Sequence, residues 1–142
     1  MLTLNAPPLL DLEVPNEREL IVRAAGLLQG RPEITDFAGF VDAILERQRI
    51  NPPILGNGVA MPHARTPLVR EIVCVAARCS SAVAFGADQI PVRLVFLFGI
   101  PPRRISQYLA VTATLVRHLR TPGVLERLLA ADTSAEFQRW LS

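Results

Sequence analysis

"PVRLVFLFGI", residues 91–100, is apolar at almost every position and rich in β-branched and aromatic side chains. A strand with one wet face alternates polar and apolar residues. A run without alternation predicts a central strand covered on both faces. Two stretches before it, "GVAM" (58–61) and "EIVCVAA" (71–77), have the same short apolar texture and also predict strands. Covering layers must then come from helices, and the rest of the chain supplies them on either side of this strand-rich centre.

Working outward toward the N-terminus, "LLDLEV" (9–14) alternates. Leu10, Leu12 and Val14 are expected on one face of a half-buried strand, with Asp11 and Glu13 on the other. Asn16 with Glu19 forms a capping box that opens a helix. Leu20, Ala24, Leu27 and Leu28 are its expected buried stripe, and it should stop near Gly30 and Pro32. Thr35 or Asp36 caps a second helix carrying Phe37, Phe40, Val41, Ile44 and Leu45. That helix ends in "ERQRINPP", because Pro52 and Pro53 cannot continue it. Toward the C-terminus, a third long helix is expected over about 105–119. Thr121 should cap the next helix, with Pro122 at its first position, and Thr133 with Glu136 is a capping box for a last one. The sequence contains no repeat, linker or low-complexity segment. The expected class is α/β: a single-domain three-layer α/β/α sandwich over residues 1–142, with a mixed central sheet and helices on both faces.

Composition narrows the function. The chain has 142 residues, half of them apolar, and no apolar run approaches the roughly 18 residues of a membrane span. Its opening "MLTLNAPPLL" lacks the basic start of a secretory signal, so a chain not embedded in a membrane, and cytoplasmic, is expected. All fifteen basic residues are arginine. They are scattered rather than striped, so no nucleic-acid partner is expected. Cys74 and Cys79 are too few for a disulfide framework. Five residues apart on a strand, they face opposite sides and read as small buried apolar residues.

The chemistry concentrates in "GNGVAMPHARTPLV", residues 56–69, around His63. Pro62 removes a ladder donor and keeps Met61 extended, so the strand from Val59 must stop, or run along an edge, at His63. Sheets of this class place ligands near strand ends. The residues alone leave three roles for His63: a structural hydrogen bond, a metal ligand, or a nucleophile or acid/base. No second His, Cys or acid stands at ligand spacing, and there is no phosphate-binding glycine loop or catalytic triad signature. No metal and no cofactor is expected.

The segment "ERQRINPPILGNGVAMPHA" resembles the active-site region of the phosphotransferase system EIIA type-2 domain family, the mannitol/fructose/nitrogen-regulatory IIA class. Arg47, Gly56 and the run Val59-Ala60-Met61-Pro62-His63-Ala64 carry the likeness. "AVAFGADQIPVRLVFLFGIP", "YLAVTATLVRHLRTPGVLERLL" and "LLDLEVPNERELIVRAAGLL" are similar to further segments of the family in the same order. The resemblance therefore covers the chain from about residue 9 to the C-terminus. It implies that His63 accepts a phosphoryl group from a histidine phosphocarrier protein. The group then passes to a IIB-type partner or serves as a regulatory signal. A neutral imidazole suits this, provided its other ring nitrogen is held by an acceptor. The resemblance gives Arg47 the role of charge stabilisation; taken without it, Arg47 is a helix-end charge complementing the dipole.

One departure stands out. The family usually carries a second histidine near the start of its long helix, and here Tyr108 aligns with it. A tyrosine hydroxyl can still hydrogen-bond a phosphate but carries no positive charge. Slower phosphorylation, or a binding module of the same fold, is therefore the alternative reading. His118 lies about three turns along the helix from that position. Arg103 and Arg104 match nothing in the family and are either a substitute charge or solvated surface. Ile54, Leu55 and Pro101–Pro102 are candidates for a docking surface around His63.

Overall fold

In a computed structural model describing residues 2–142, the run at 91–100 lies within β6 (Ile90–Ile100), a central strand with partners on both sides. The other strands are β1 (Leu9–Leu12), β2 (Ile54–Gly56), β3 (Val59–Ala60), β4 (His63–Arg65) and β5 (Val73–Phe85). The order is β1-β5-β6-β3-β2, with β4 also paired to β6. β5 runs antiparallel to β6, whereas β3 and β4 run parallel to it and β1 runs parallel to β5, so the sheet is mixed.

β6 divides its side chains between two cores, which is why it shows no alternation. Val92, Val95 and Leu97 pack beneath α1 (Glu17–Gly26) and α2 (Phe37–Ile50). Leu94, Phe96, Phe98 and Ile100 pack beneath α3 (Ile105–Arg120), α4 (Val124–Ala130) and α5 (Ser134–Leu141). Burying each large apolar side chain is worth about 1.5–3 kcal/mol. Cys74 joins the second core and Cys79 the first, as their spacing requires. The result is the expected three-layer sandwich. Among the described residues no helix is long and apolar enough to cross a membrane.

Three local expectations hold in detail. Asn16 accepts from the Glu19 N–H at 2.9 Å, Asp36 from the Gly39 N–H at 3.0 Å, and Thr133 from the Glu136 N–H at 3.1 Å. Four others need correction. Asp11 sits at φ 55 and breaks the register between Leu9 and Leu12. Leu10 therefore packs on the α3 side while Leu12 packs on the α1/α2 side. Gly26 ends α1, and successive turns follow to Gly30 at φ 84. Gly123, at φ 88, and not Thr121, occupies the N-cap position of α4; the Thr121 hydroxyl donates back to the Arg117 carbonyl instead. Finally, β5 continues through Phe85, well beyond residue 77, pairing with β6 on both sides of an irregularity between Arg78 and Val83.

Candidate functional site

β3 and β4 are two short pieces of chain laid along the same side of β6, Val59–Ala60 against Leu94–Val95 and His63–Arg65 against Phe98–Ile100. Met61 and Pro62 form the gap between them. β2 extends the sheet only beside β3. β4 is thus an edge strand whose free side opens at His63, and the break expected at Pro62 is present. The approach is set by a tight turn at Asn57-Gly58, both residues having φ > 0 as a hairpin turn of the I′ kind requires.

The face of each β4 side chain follows from the period of two. Ala64 is buried in the core beneath α1 and α2. His63 and Arg65 therefore project from the opposite face, beside Phe98 and Ile100 of the α3-side core. His63 is half-buried and Arg65 exposed.

Nδ1 of His63 lies 2.9 Å from the carbonyl oxygen of Met61. A carbonyl can only accept, so Nδ1 carries the proton and Nε2 presents its lone pair. Burial is the main influence on the imidazole and pushes its pKa below the ordinary 6.5. The Met61 hydrogen bond opposes this, and the positive charge of Arg47 adds to it. His63 is accordingly neutral near pH 7, the state in which Nε2 is a nucleophile.

Arg47 stands in the last turn of α2, where its Nη1 donates to the Asn51 carbonyl at 2.6 Å. That is the helix-end contact the residue type favours, yet its charge also reaches both His63 and Tyr108. α2 is held in place from behind: the buried Gln48 donates to Glu17 at 2.8 Å, and Glu17 accepts from the Gly86 N–H at 3.0 Å.

Tyr108 is in the first turns of α3 and is 6% exposed. Its ring is edge-on to Phe98 at 5.3 Å and tilted over the His63 ring at 5.5 Å, so it cannot swing freely. Burial, with a smaller contribution from Cys74, raises its hydroxyl to about 12 against the counter-effect of Arg47. The phenol stays a neutral donor throughout the physiological range. Of the three sequence-predicted residues, His63 and Tyr108 are brought ring to ring by β4 and α3, whereas Arg47, on α2, acts on both through its charge.

Other candidates are placed elsewhere. His118 bonds the Trp140 carbonyl at 2.7 Å. Arg103 and Arg104 both pair with Glu71 at 3.4 Å, so they are surface ion pairs and not a replacement charge at His63. Pro101 is buried and leaves the candidate docking surface; Leu55 and Pro102 are exposed, and Leu109, which the sequence reading passed over, is 58% exposed one residue from Tyr108. A cleft of about 1100 Å³ between α1, α2 and the β5–β6 turn is lined by none of the trio. Among the described residues no group of three or more His, Cys, Asp or Glu could hold a metal ion.

Comparison with known proteins places the chain in a family. The family model described as phosphoenolpyruvate-dependent sugar phosphotransferase system, EIIA 2, matches residues 9–142. The chain is 32% identical over 110 residues to the phosphotransferase system fructose-specific EIIA component of Haloferax volcanii, covering 77% of this chain and 70% of that protein. The crystal structure of nitrogen regulatory protein IIA-Ntr from Neisseria meningitidis superposes with a TM-score of 0.86 at 26% identity, covering 96% of this chain and 93% of that one. Escherichia coli enzyme IIA mannitol, in its complex with phosphorylated enzyme IIB mannitol, shares the fold with a TM-score of 0.80 at 23% identity, covering 95% and 93%.

Proposed function

Because the chain belongs to the phosphoenolpyruvate-dependent sugar phosphotransferase system EIIA 2 family, we propose that it is a phosphoryl carrier whose acceptor atom is Nε2 of His63. The observation that carries this reading is the Nδ1 hydrogen bond to the Met61 carbonyl on a desolvated, neutral ring. It leaves the outward nitrogen as the nucleophile.

The donor is a phosphohistidine on a histidine phosphocarrier protein. Nε2 attacks its phosphorus, the new N–P bond forms as the donor's N–P bond breaks, and the donor ring, a phosphoimidazolium protonated on its other nitrogen, leaves as neutral imidazole. His63 becomes a phosphorylated imidazolium whose Nδ1–H remains on the Met61 carbonyl, which stabilises the new positive charge. No proton has to move. Transfer of this kind depends on positioning and charge stabilisation. Arg47 supplies the charge, since a guanidinium has five donors and can keep Asn51 while binding a phosphoryl oxygen. Tyr108 supplies a neutral hydroxyl beside the same ring. The phosphoryl group then leaves in the cytoplasm to a IIB-type partner, by likeness to the mannitol pair, or persists as a signal to a regulatory target, by likeness to the nitrogen regulatory proteins.

The test is incubation with a phosphorylated histidine phosphocarrier protein, followed by mass spectrometry. Gain of one acid-labile phosphoryl group, absent in His63→Ala, is the expected result; no gain under donor excess refutes the reading. Tyr108 favours a second reading, a regulatory binding module in which phosphorylation is weak or lost. Labelling that appears only in Tyr108→His would establish it.

A further inference from the structure

A phosphoryl group on Nε2 of His63 would bring up to two negative charges to a half-buried site. Arg47 reaches it from α2, and Tyr108 contributes no charge. The remaining question is which cation meets the outward-facing oxygens.

The register of β4 answers it. His63 and Arg65 leave the same face of one strand, with Ala64 between them buried on the other. Two residues along a strand separate their Cα atoms by only about 6.6 Å, less than the length of an arginine side chain. Arg65 is exposed, and among the described residues no ion pair or side-chain hydrogen bond engages its guanidinium. Several other arginines are already engaged. Arg103 and Arg104 are committed to Glu71, Arg49 to Glu46, and the buried Arg78 to the carbonyls of Leu128 and Ala131. Arg65 also lies on an edge strand, where a charge is commonly placed to discourage strand pairing; a lysine or any other charge serves that purpose equally.

Resting on the phosphoryl-carrier reading, we propose that Arg65 is a second phosphate-binding residue, closing over the phosphoryl group on His63 from the solvent side while Arg47 holds it from the helix side. The planar fork of its guanidinium suits two oxygens at once, which a lysine cannot match. Arg65 then acts on the phosphoryl group itself, whichever donor delivers it.

The experiment uses two donors, a phosphorylated histidine phosphocarrier protein and potassium phosphoramidate. The latter has no docking surface; its N–P bond breaks as that to Nε2 forms, and ammonia leaves. Wild type, Arg65→Gln and Arg65→Lys are compared, with circular dichroism as the fold check. Loss of one charge-assisted contact should slow labelling by Arg65→Gln about tenfold to a hundredfold with both donors, with Arg65→Lys intermediate. The 31P signal of phospho-His63 should also titrate at higher pH in Arg65→Gln, because the dianion has lost a cation. Equal labelling of wild type and Arg65→Gln by phosphoramidate overturns the proposal, as does a defect confined to KM for the protein donor. If wild type is not labelled on His63 by either donor, the carrier reading itself falls, and this proposal with it.

Discussion

Replacing Tyr108 by histidine places a titratable cation where the native chain keeps a neutral phenol. The ring of residue 108 lies 5.5 Å from that of His63, and this separation serves as the distance between an imidazolium and a phosphoryl group of charge −1.5 to −2. Coulomb's law then gives about 1–1.5 kcal/mol at the dielectric constant of water and roughly 2–3 kcal/mol at half that value, suited to a half-buried site. Phospho-His63 should thus gain about fivefold to a hundredfold in equilibrium occupancy. The gain belongs only to the protonated form of the new histidine, so it is full at about pH 6 and fades by about pH 8.5. The native hydroxyl, raised to about 12, contributes no such dependence over this range. The assay is equilibrium labelling from a phosphorylated histidine phosphocarrier protein at both pH values, with Tyr108→Phe as a control that keeps the ring. Equal occupancy of wild type and Tyr108→His at the lower pH would refute the electrostatic argument.

His63 has its own pH signature. Its folded pKa is held below 6.5, so its contribution to stability is complete above about pH 6.5 and is lost as pH falls through the depressed value. Urea denaturation should show a steeper acid-side loss for wild type than for His63→Gln, and parallel profiles would contradict it. A nitrogen-15 NMR spectrum near neutral pH should show the Nδ1–H tautomer; an Nε2–H signal would remove the nucleophile from its assigned atom. Arg78→Met breaks contacts to Leu128, Ala131 and Asp11 at 2.9, 2.7 and 3.2 Å. Loss of these contacts to buried carbonyls should cost about 3 kcal/mol and lower Tm by roughly 10 °C; an unchanged Tm would show them to be dispensable. Gly99→Ala should cost about 1–3 kcal/mol, because the added Cβ would meet Phe40 at 2.8 Å and Val73 at 3.0 Å; a change below about 0.5 kcal/mol by urea titration would contradict it.

What the sequence made legible was local or periodic. The caps at Asn16, Asp36 and Thr133 need only a side chain and an N–H three residues away. β6 needed only the absence of alternation. Where long-range contacts decide, the pattern misleads. Asp11 looks like an outward residue of a regular strand, but its carboxylate pairs with Arg78, 67 residues away, and its φ of 55 turns the strand over. Nothing near Arg78 marks it as buried, because the carbonyls that satisfy it belong to the end of α4. β5 extends past residue 77 because its pairing with β6 resumes at Val83, beyond the irregular stretch that follows Arg78, and the polar texture of "RCSSA" gives no sign of that resumption. Asn57-Gly58 is a hairpin signal of the same local kind, and both residues take the positive φ it requires. At the site, the Pro62-His63 pair and the family pattern led to His63, Arg47 and Tyr108. The ring's acceptor, Met61, offered no side-chain signal, whereas Arg65 was accessible from simple alternation around Ala64.

The edge position of β4 has a consequence for how the molecule could be read by others. In a layered sandwich the two helical layers are insulated from one another by the sheet, and a side chain on an inner strand can touch only one of them. At β4 the sheet ends, so one imidazole feels the charge of Arg47 from one layer and meets the ring of Tyr108 from the other. A charge added to that ring would rivet the two outer layers together at a single point. Occupancy of His63 would then be legible from either flank of the protein, giving a partner on the α2 side and a partner on the α3 side access to the same message.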